Sequence, residues 1–144
     1  MGGYEWVEGE IALILYLSSA GIQHRAIVDL LRERKFSRTI TAVRNKLAEL
    51  RTRKSLGHPF GRWNVDEVDH FIVELSTKYD IDRILRPTWE DQQIVNQSHR
   101  DLDLQVLYHD RGACIRQQAM VRGTEYDPWN EDGLEEEFGQ ESYL

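Results

Sequence analysis

Residues Phe36–Lys54 read FSRTITAVRNKLAELRTRK, and the fold turns on how this stretch is read. At roughly 100° per residue, Ile40, Val43, Leu47 and Leu50 fall in one quadrant of a helix spanning about Arg38–Arg53. Thr41, Asn45, Ala48 and Thr52 lie diametrically opposite. Arg44 and Arg51 flank that polar face on one side, and Lys46 flanks it on the other, nearer the core edge. Ser37 is the expected N-cap, with Arg38 and Thr39 as alternative starts. A helix built this way suits two surroundings at once: a protein core on one side and a nucleic-acid groove on the other. In a major groove, asparagine bonds bidentately to adenine, and arginine bonds guanine or phosphate. Arg44 and Asn45 are therefore the expected base readers, with Thr41, Ala48 and Glu49 shaping the contact. Ala48 permits close approach, and Glu49 either accepts from cytosine amino groups or pairs with Arg53 at i+4. Arg51, Arg53 and Lys54 close the helix, where cations favour the dipole and reach backbone phosphates. Arg38 and Lys46 complete the expected phosphate set.

Working back from this helix, Gln23–Arg34 places Ala26, Ile27, Leu30 and Leu31 on one apolar face. Before it, Trp6 to about Ser19 forms a first helix, with Glu8 and Glu10 in the opening turn, where the dipole favours them. Gly21 suits a left-handed cap at its end. Ile11–Leu17 is apolar around most of the helix, which implies burial on more than one side. Three helices hardly cover it, so a downstream layer is expected.

Working forward, Ser55–Arg62 reads as a linker or turn, with Gly57, Pro59 and Gly61 as breakers. Asn64 is placed as an N-cap with Glu67 at the capping-box position, opening an amphipathic helix Val65–Tyr79. Asp80 caps a short helix Ile81–Arg86, and Thr88 caps another that carries Ile94 and Val95. Residues 55–95 are thus a helical extension that packs on the first three helices or on a partner, and 63–95 is the segment through which a protein partner or homodimer would bind. Asn96–Arg122 reads as poorly structured, with a weak helix at Ala113–Arg122. After Gly123 comes an acidic tail punctuated by Tyr126, Trp129, Leu134, Phe138 and Tyr143. That is the composition of a disordered activation or solubilising segment, or of one that folds back on the basic helix.

The run Trp6, Glu8, Glu10, Leu13, Gly21, Ile27, Leu30, Arg38-Thr39, Ala42-Val43-Arg44-Asn45-Lys46-Leu47 and Leu50 resembles a Myb/SANT-type repeat over about residues 6–53. The family pattern opens helix one with tryptophan and acidic residues. It opens helix three with an Arg-Thr pair and places a basic-Asn pair midway. The resemblance implies an all-α fold: a three-helix helix-turn-helix domain over 6–54, extended by further C-terminal helices. It implies double-stranded DNA as partner, base contacts at Arg44-Asn45 and Ala48-Glu49, and a nuclear regulator of transcription or chromatin. Of the family's three aromatic positions only the first is kept, as Trp6, with His24 near the second and Leu47 at the third. Such departures also occur in SANT modules that bind proteins, so the alternative is a chromatin interaction module whose basic face takes the acidic tail or a partner.

Charge distribution supports both readings more than the net charge of −7 does. Gln23–Arg62 holds eleven Lys and Arg against three carboxylates, whereas the residues after Gly123 hold eight carboxylates and neither Lys nor Arg. A basic module joined to an acidic tail is the asymmetry of a nucleic-acid binder with an interaction segment. No catalytic constellation, Gly-rich phosphate loop or metal-ligand spacing is legible, so no enzyme activity and no cofactor are expected. Cys114 is the single cysteine, which rules out an internal disulfide. The longest apolar run is too short to span a bilayer, and Glu5, Glu8 and Glu10 stand where a signal peptide would be basic.

Overall fold

The computed structural model describes residues 5–58 and 61–122, so the acidic tail lies outside the described residues. Among them the chain is all-helical apart from one isolated antiparallel bridge. The first three helices are α1 (Glu8–Ser19), α2 (His24–Glu33) and α3 (Ile40–Arg53). They end alike. After α1, Gly21 N–H donates to Ser18 O and Ile22 N–H to Leu17 O. After α2, Lys35 N–H donates to Arg32 O and Phe36 N–H to Leu31 O. After α3, Leu56 N–H donates to Arg51 O. In each case a left-handed residue (Gly21, Lys35, Ser55) is followed by an apolar one that turns into or against the core. This closure satisfies end carbonyls and fixes the exit of the chain. Only Gly21 takes the left-handed conformation without steric cost.

Every residue from Ala12 to Leu17 is buried, as expected of a helix apolar all round. Its cover comes from both directions of the sequence. α2 and α3 pack on one side; α4 (Val65–Leu75), the 3-10 turn Ser76–Lys78 and α5 (Ile81–Leu85) pack on the others. Val68, Ile72 and Val73 of α4 are fully buried, each contributing about 1.5–3 kcal/mol of transfer free energy. α6 (Trp89–Asn96) rests on α2. The expected caps are present: Asn64 Oδ1 accepts from Glu67 N–H at 3.3 Å, Asp80 from Arg83 at 3.2 Å, and Thr88 from Asp91 at 3.0 Å. The apolar face of 63–95 is therefore occupied by the chain itself. Trp89 and Val65 are its exposed large apolar side chains, and they are what a partner or second copy would meet there.

Residues 96–112 depart from the poorly structured reading, and the helix expected at Ala113–Arg122 is present. α7 (Leu104–Leu107), a π-helical turn Tyr108–Gly112 and α8 (Ala113–Arg122) follow one another without a break, and α8 lies on α4. Leu104, Tyr108, Gly112, Ile115 and Ala119 all face inward. Arg111 fastens the π-turn. It donates to Asp69 at 2.8 Å, to Tyr16 O at 3.1 Å and to Ser19 Oγ at 2.7 Å. At Gly112 a Cβ would stand 3.0 Å from Tyr108 Cδ1 and 3.3 Å from Tyr16 Oη, so a side chain there pushes the π-turn off Tyr16 of α1. Gly112→Ala is expected to destabilise by about 1–3 kcal/mol, the range for overpacking. The readout is the midpoint of urea unfolding; a parental midpoint would show that the π-turn yields freely.

Candidate nucleic-acid interface

α3 begins at Ile40, two residues after the earliest expected start, because Thr39 is the N-cap: its Oγ1 accepts from Ala42 N–H at 3.0 Å. Freed from the helix, Arg38 turns back to α1. Its guanidinium donates to both carboxylate oxygens of Glu10 and to Glu5 O, and lies 4.1 Å over the Trp6 ring. The Arg38 side chain is 7% exposed and that of Glu10 is 2% exposed. The Glu10 hydrogen bond holds Arg38 still more firmly charged than an ordinary arginine, against the cost of burial. Glu10 also accepts from Val7 N–H at 3.3 Å, closing the start of α1. Arg38 is thus withdrawn from the expected phosphate set, because its charge is spent inside the three-helix unit.

The rest of α3 divides as its periodicity requires. Val43, Leu47 and Leu50 are buried and Ile40 packs beside them. Thr41, Arg44, Asn45, Ala48, Glu49 and Thr52 are all exposed. With 14 residues, the helix is about 21 Å long. All five expected base readers therefore lie on one uncovered face. The cations behave less uniformly. Lys46 is largely buried, with Nζ 3.5 Å from Glu49, and Arg53 reaches the same carboxylate at 3.7 Å. Of the two roles read for Glu49, the structure contains the Arg53 pair, and it adds Lys46. Arg53, 76% exposed, points outward at the end of the helix, and the exposed Lys54 sets its Nζ over the Phe71 ring of α4 at 5.9 Å. Arg51 is half-buried, its guanidinium 4.3 Å over the Trp63 ring.

The counted excess of cations between Gln23 and Arg62 is smaller at the surface than in the sequence. Arg34 donates to Asp91, Leu30 O, Ile84 O and Arg86 O, which clasps α2 to α5 and α6. Arg32 pairs with Asp29 at 2.9 Å. What remains outward includes Arg25 and Lys35 by α2, Arg62 downstream of α3, and a concentration at Arg44, Arg53 and Lys54 along and just after α3. His24 registers that concentration: burial, then the charges of Arg44 and Arg51, lower its pKa.

Two features escaped the sequence reading. His24 is one, since nothing local announces that α2's first residue sits beside α3. The other is how Ser55–Arg62, expected as a linker or turn, closes on itself. His58 N–H donates to Arg62 O at 3.2 Å, Asn64 N–H donates to Leu56 O at 2.8 Å, and Gly57 bridges Trp63. The breakers at 57 and 61 were the signal for this hairpin. Its arms hold Arg62 and Trp63 against the last turn of α3, around an open cleft of about 580 Å³.

Among the described residues, no group of three or more His, Cys, Asp or Glu converges to hold a metal ion, and no helix is long and apolar enough to cross a membrane. Cys114 is exposed on α8. No family model matches the chain, and neither a curated protein nor a solved structure matches it.

Proposed function

We propose that this chain is a DNA-binding protein, a nuclear regulator of transcription or chromatin, which places α3 in the major groove of a duplex. The observation that carries the reading is the uncovered face of α3. Over about three turns it presents Asn45 between Arg44, Ala48 and Thr41, and no described element packs on it. Small and amide side chains at the centre of such a face permit close approach and bidentate pairing, while Arg53 and Lys54 lie at the end nearest a strand backbone. The Myb/SANT resemblance supports the same docking. In that light the Trp6, Glu10 and Arg38 motif is the brace that sets the start of α3, and Asn45 is the residue that reads.

One module of this size should bind weakly and with strong salt dependence. Fluorescence anisotropy with random and selected duplexes tests it. Asn45→Ala is expected to flatten base preference by roughly 1–3 kcal/mol, whereas Arg53→Ala weakens all sequences alike and lowers the salt slope by about one. Equal losses for both variants on every probe would remove the assignment of readout to Asn45.

A second reading has its own observation. The eight carboxylates after Gly123 complement the cationic edge of α3 on the same chain. In that case the face is a SANT-like docking surface for acidic protein segments. If the tail instead restrains a duplex-binding face, converting Glu135, Glu136 and Glu137 to glutamine should strengthen duplex binding by relieving competition, which favours the first reading. If neither form binds duplex even at low salt, the protein-docking reading stands in place of the first.

A further inference from the structure

We infer that the hairpin after α3 is a second nucleic-acid contact, a site for one backbone phosphate beside the groove. The inference rests on the duplex reading of α3 and extends it to residues outside that helix. The cleft is lined by Arg51, Thr52, Ser55, Arg62, Trp63 and Asn64 among others, and no carboxylate contributes to it. In a chain with 25 acidic residues, a cleft with two arginines, the Ser55 hydroxyl and the Asn64 amide is chemically biased toward an anion, while the Thr52 hydroxyl donates to Ala48 O and Glu49 O of its own helix. Phosphate oxygens are matched by that donor set, arginine above all, because its planar fork gives paired bonds.

Two details show that the cleft is organised in advance. Arg51 is half-buried with its Nε enclosed by the chain, which limits how far its guanidinium can swing away from the cleft. Its guanidinium also lies over the Trp63 ring, 4.3 Å from the centroid, which restrains it without an anion. Gly57 lets the two arms cross: a Cβ there would lie 3.0 Å from both Arg62 O and Trp63 Cα. The Gly57–Trp63 bridge and the Asn64–Leu56 bond fix Arg62 relative to the end of α3. Thr52, on the exposed face of α3, also lines this cleft, so a strand running past α3 would meet both.

The experiment uses the full chain and a random 16-base-pair duplex across a salt series. Arg62 is exposed, and its hairpin bond is made by its backbone, so Arg62→Ala should melt like the parent. Arg62→Ala is expected to weaken duplex binding about fivefold at low salt and to reduce the slope of log K against log salt by about one, the value for one phosphate lost. Arg62→Lys should restore the slope. Parental affinity and slope in Arg62→Ala, alongside a weakened Arg44→Ala, would overturn the hairpin contact and leave the α3 reading intact. No duplex binding by the parent would remove the α3 reading, and this inference with it. Calorimetric titration with inorganic phosphate separates the remaining source. If Arg62→Ala loses inorganic phosphate but keeps its duplex affinity, the cleft takes a free anion and the proposal fails.

Discussion

Arg38→Ala is expected to destabilise the fold by about 3–5 kcal/mol, the penalty for stranding a buried partner charge, and to lower Tm by on the order of 10–20 °C. Glu10 is the stranded group. Its side chain is 2% exposed, and both its oxygens accept from Arg38. Without the guanidinium the carboxylate keeps only the 3.3 Å bond from Val7 N–H, and Trp6 loses the cation stacked on its ring. Arg38→Lys should fall between, since an ammonium keeps the charge but not the paired geometry or the stack. Glu10→Ala/Arg38→Ala should cost less than the sum of the single changes, because the residues interact directly. A surface phosphate contact behaves oppositely: its loss leaves the melt within about 0.5 kcal/mol of the parent and weakens duplex binding. An unchanged Tm with reduced affinity would therefore return Arg38 to the phosphate set.

This pair shows where the sequence was legible and where it was not. Local order was readable because it repeats at short range. The Ile40, Val43, Leu47 and Leu50 face follows from helical period, and Asn64, Asp80 and Thr88 announce helix starts a few residues away. The length of the apolar run in α1 correctly required cover. What could not be read is which charges are spent inside. Arg38 meets Glu10 across 28 residues, Arg111 meets Asp69 across 42 and Arg34 meets Asp91 across 57. Each carboxylate had an adequate local explanation as a helix-start or surface residue, so nothing in its neighbourhood called for a distant arginine. A charge count cannot distinguish a cation in water from one in a clasp, and the basic segment therefore looked more positive than its surface is.

Residues 104–112 were missed, and Ala113–Arg122 was legible only as a weak helix, for a different reason. The inward positions are Leu104, Tyr108, Gly112, Ile115 and Ala119, of which only two are large aliphatic residues. A tyrosine, a glycine and an alanine carry little weight in an apolar pattern, although each is shaped to its place. The π-turn at Tyr108–Gly112 also widens the helix by one residue per turn there, which moves the apolar positions out of a uniform 3.6 period. The candidate interface was clearer than its support. The outward residues of α3 are chosen by what they are not, namely core, and that follows from periodicity. Arg51, Arg62 and Trp63 act through a hairpin whose closure depends on backbone pairing.

Asp91→Ala is expected to cost about 3–5 kcal/mol as well, for a complementary reason: here it is the arginine that is left without its charge partner. The Asp91 side chain is 1% exposed and Arg34 13%. Asp91 accepts from Arg34 at 2.7 and 3.1 Å and from Thr88 N–H at 3.0 Å, so its loss also opens the cap of α6. Arg34 would keep three carbonyl acceptors, Leu30 O, Ile84 O and Arg86 O, which satisfy its donors without neutralising it. Arg34→Met/Asp91→Leu should recover most of the loss, since an apolar pair of similar volume removes both buried charges together. The damage should also be placed unevenly. α6 docks on α2, and α3, which also packs on α2, makes no extensive contact with α6. Amide exchange should therefore quicken first in α6 and at the end of α2, with α3 following only through global unfolding. Below its lowered Tm, the Asp91→Ala protein should bind duplex as the parent does. If its affinity instead fell in proportion to the loss of stability, the clasp would have to be setting the pose of α3, and the exposed face would not be an independent site.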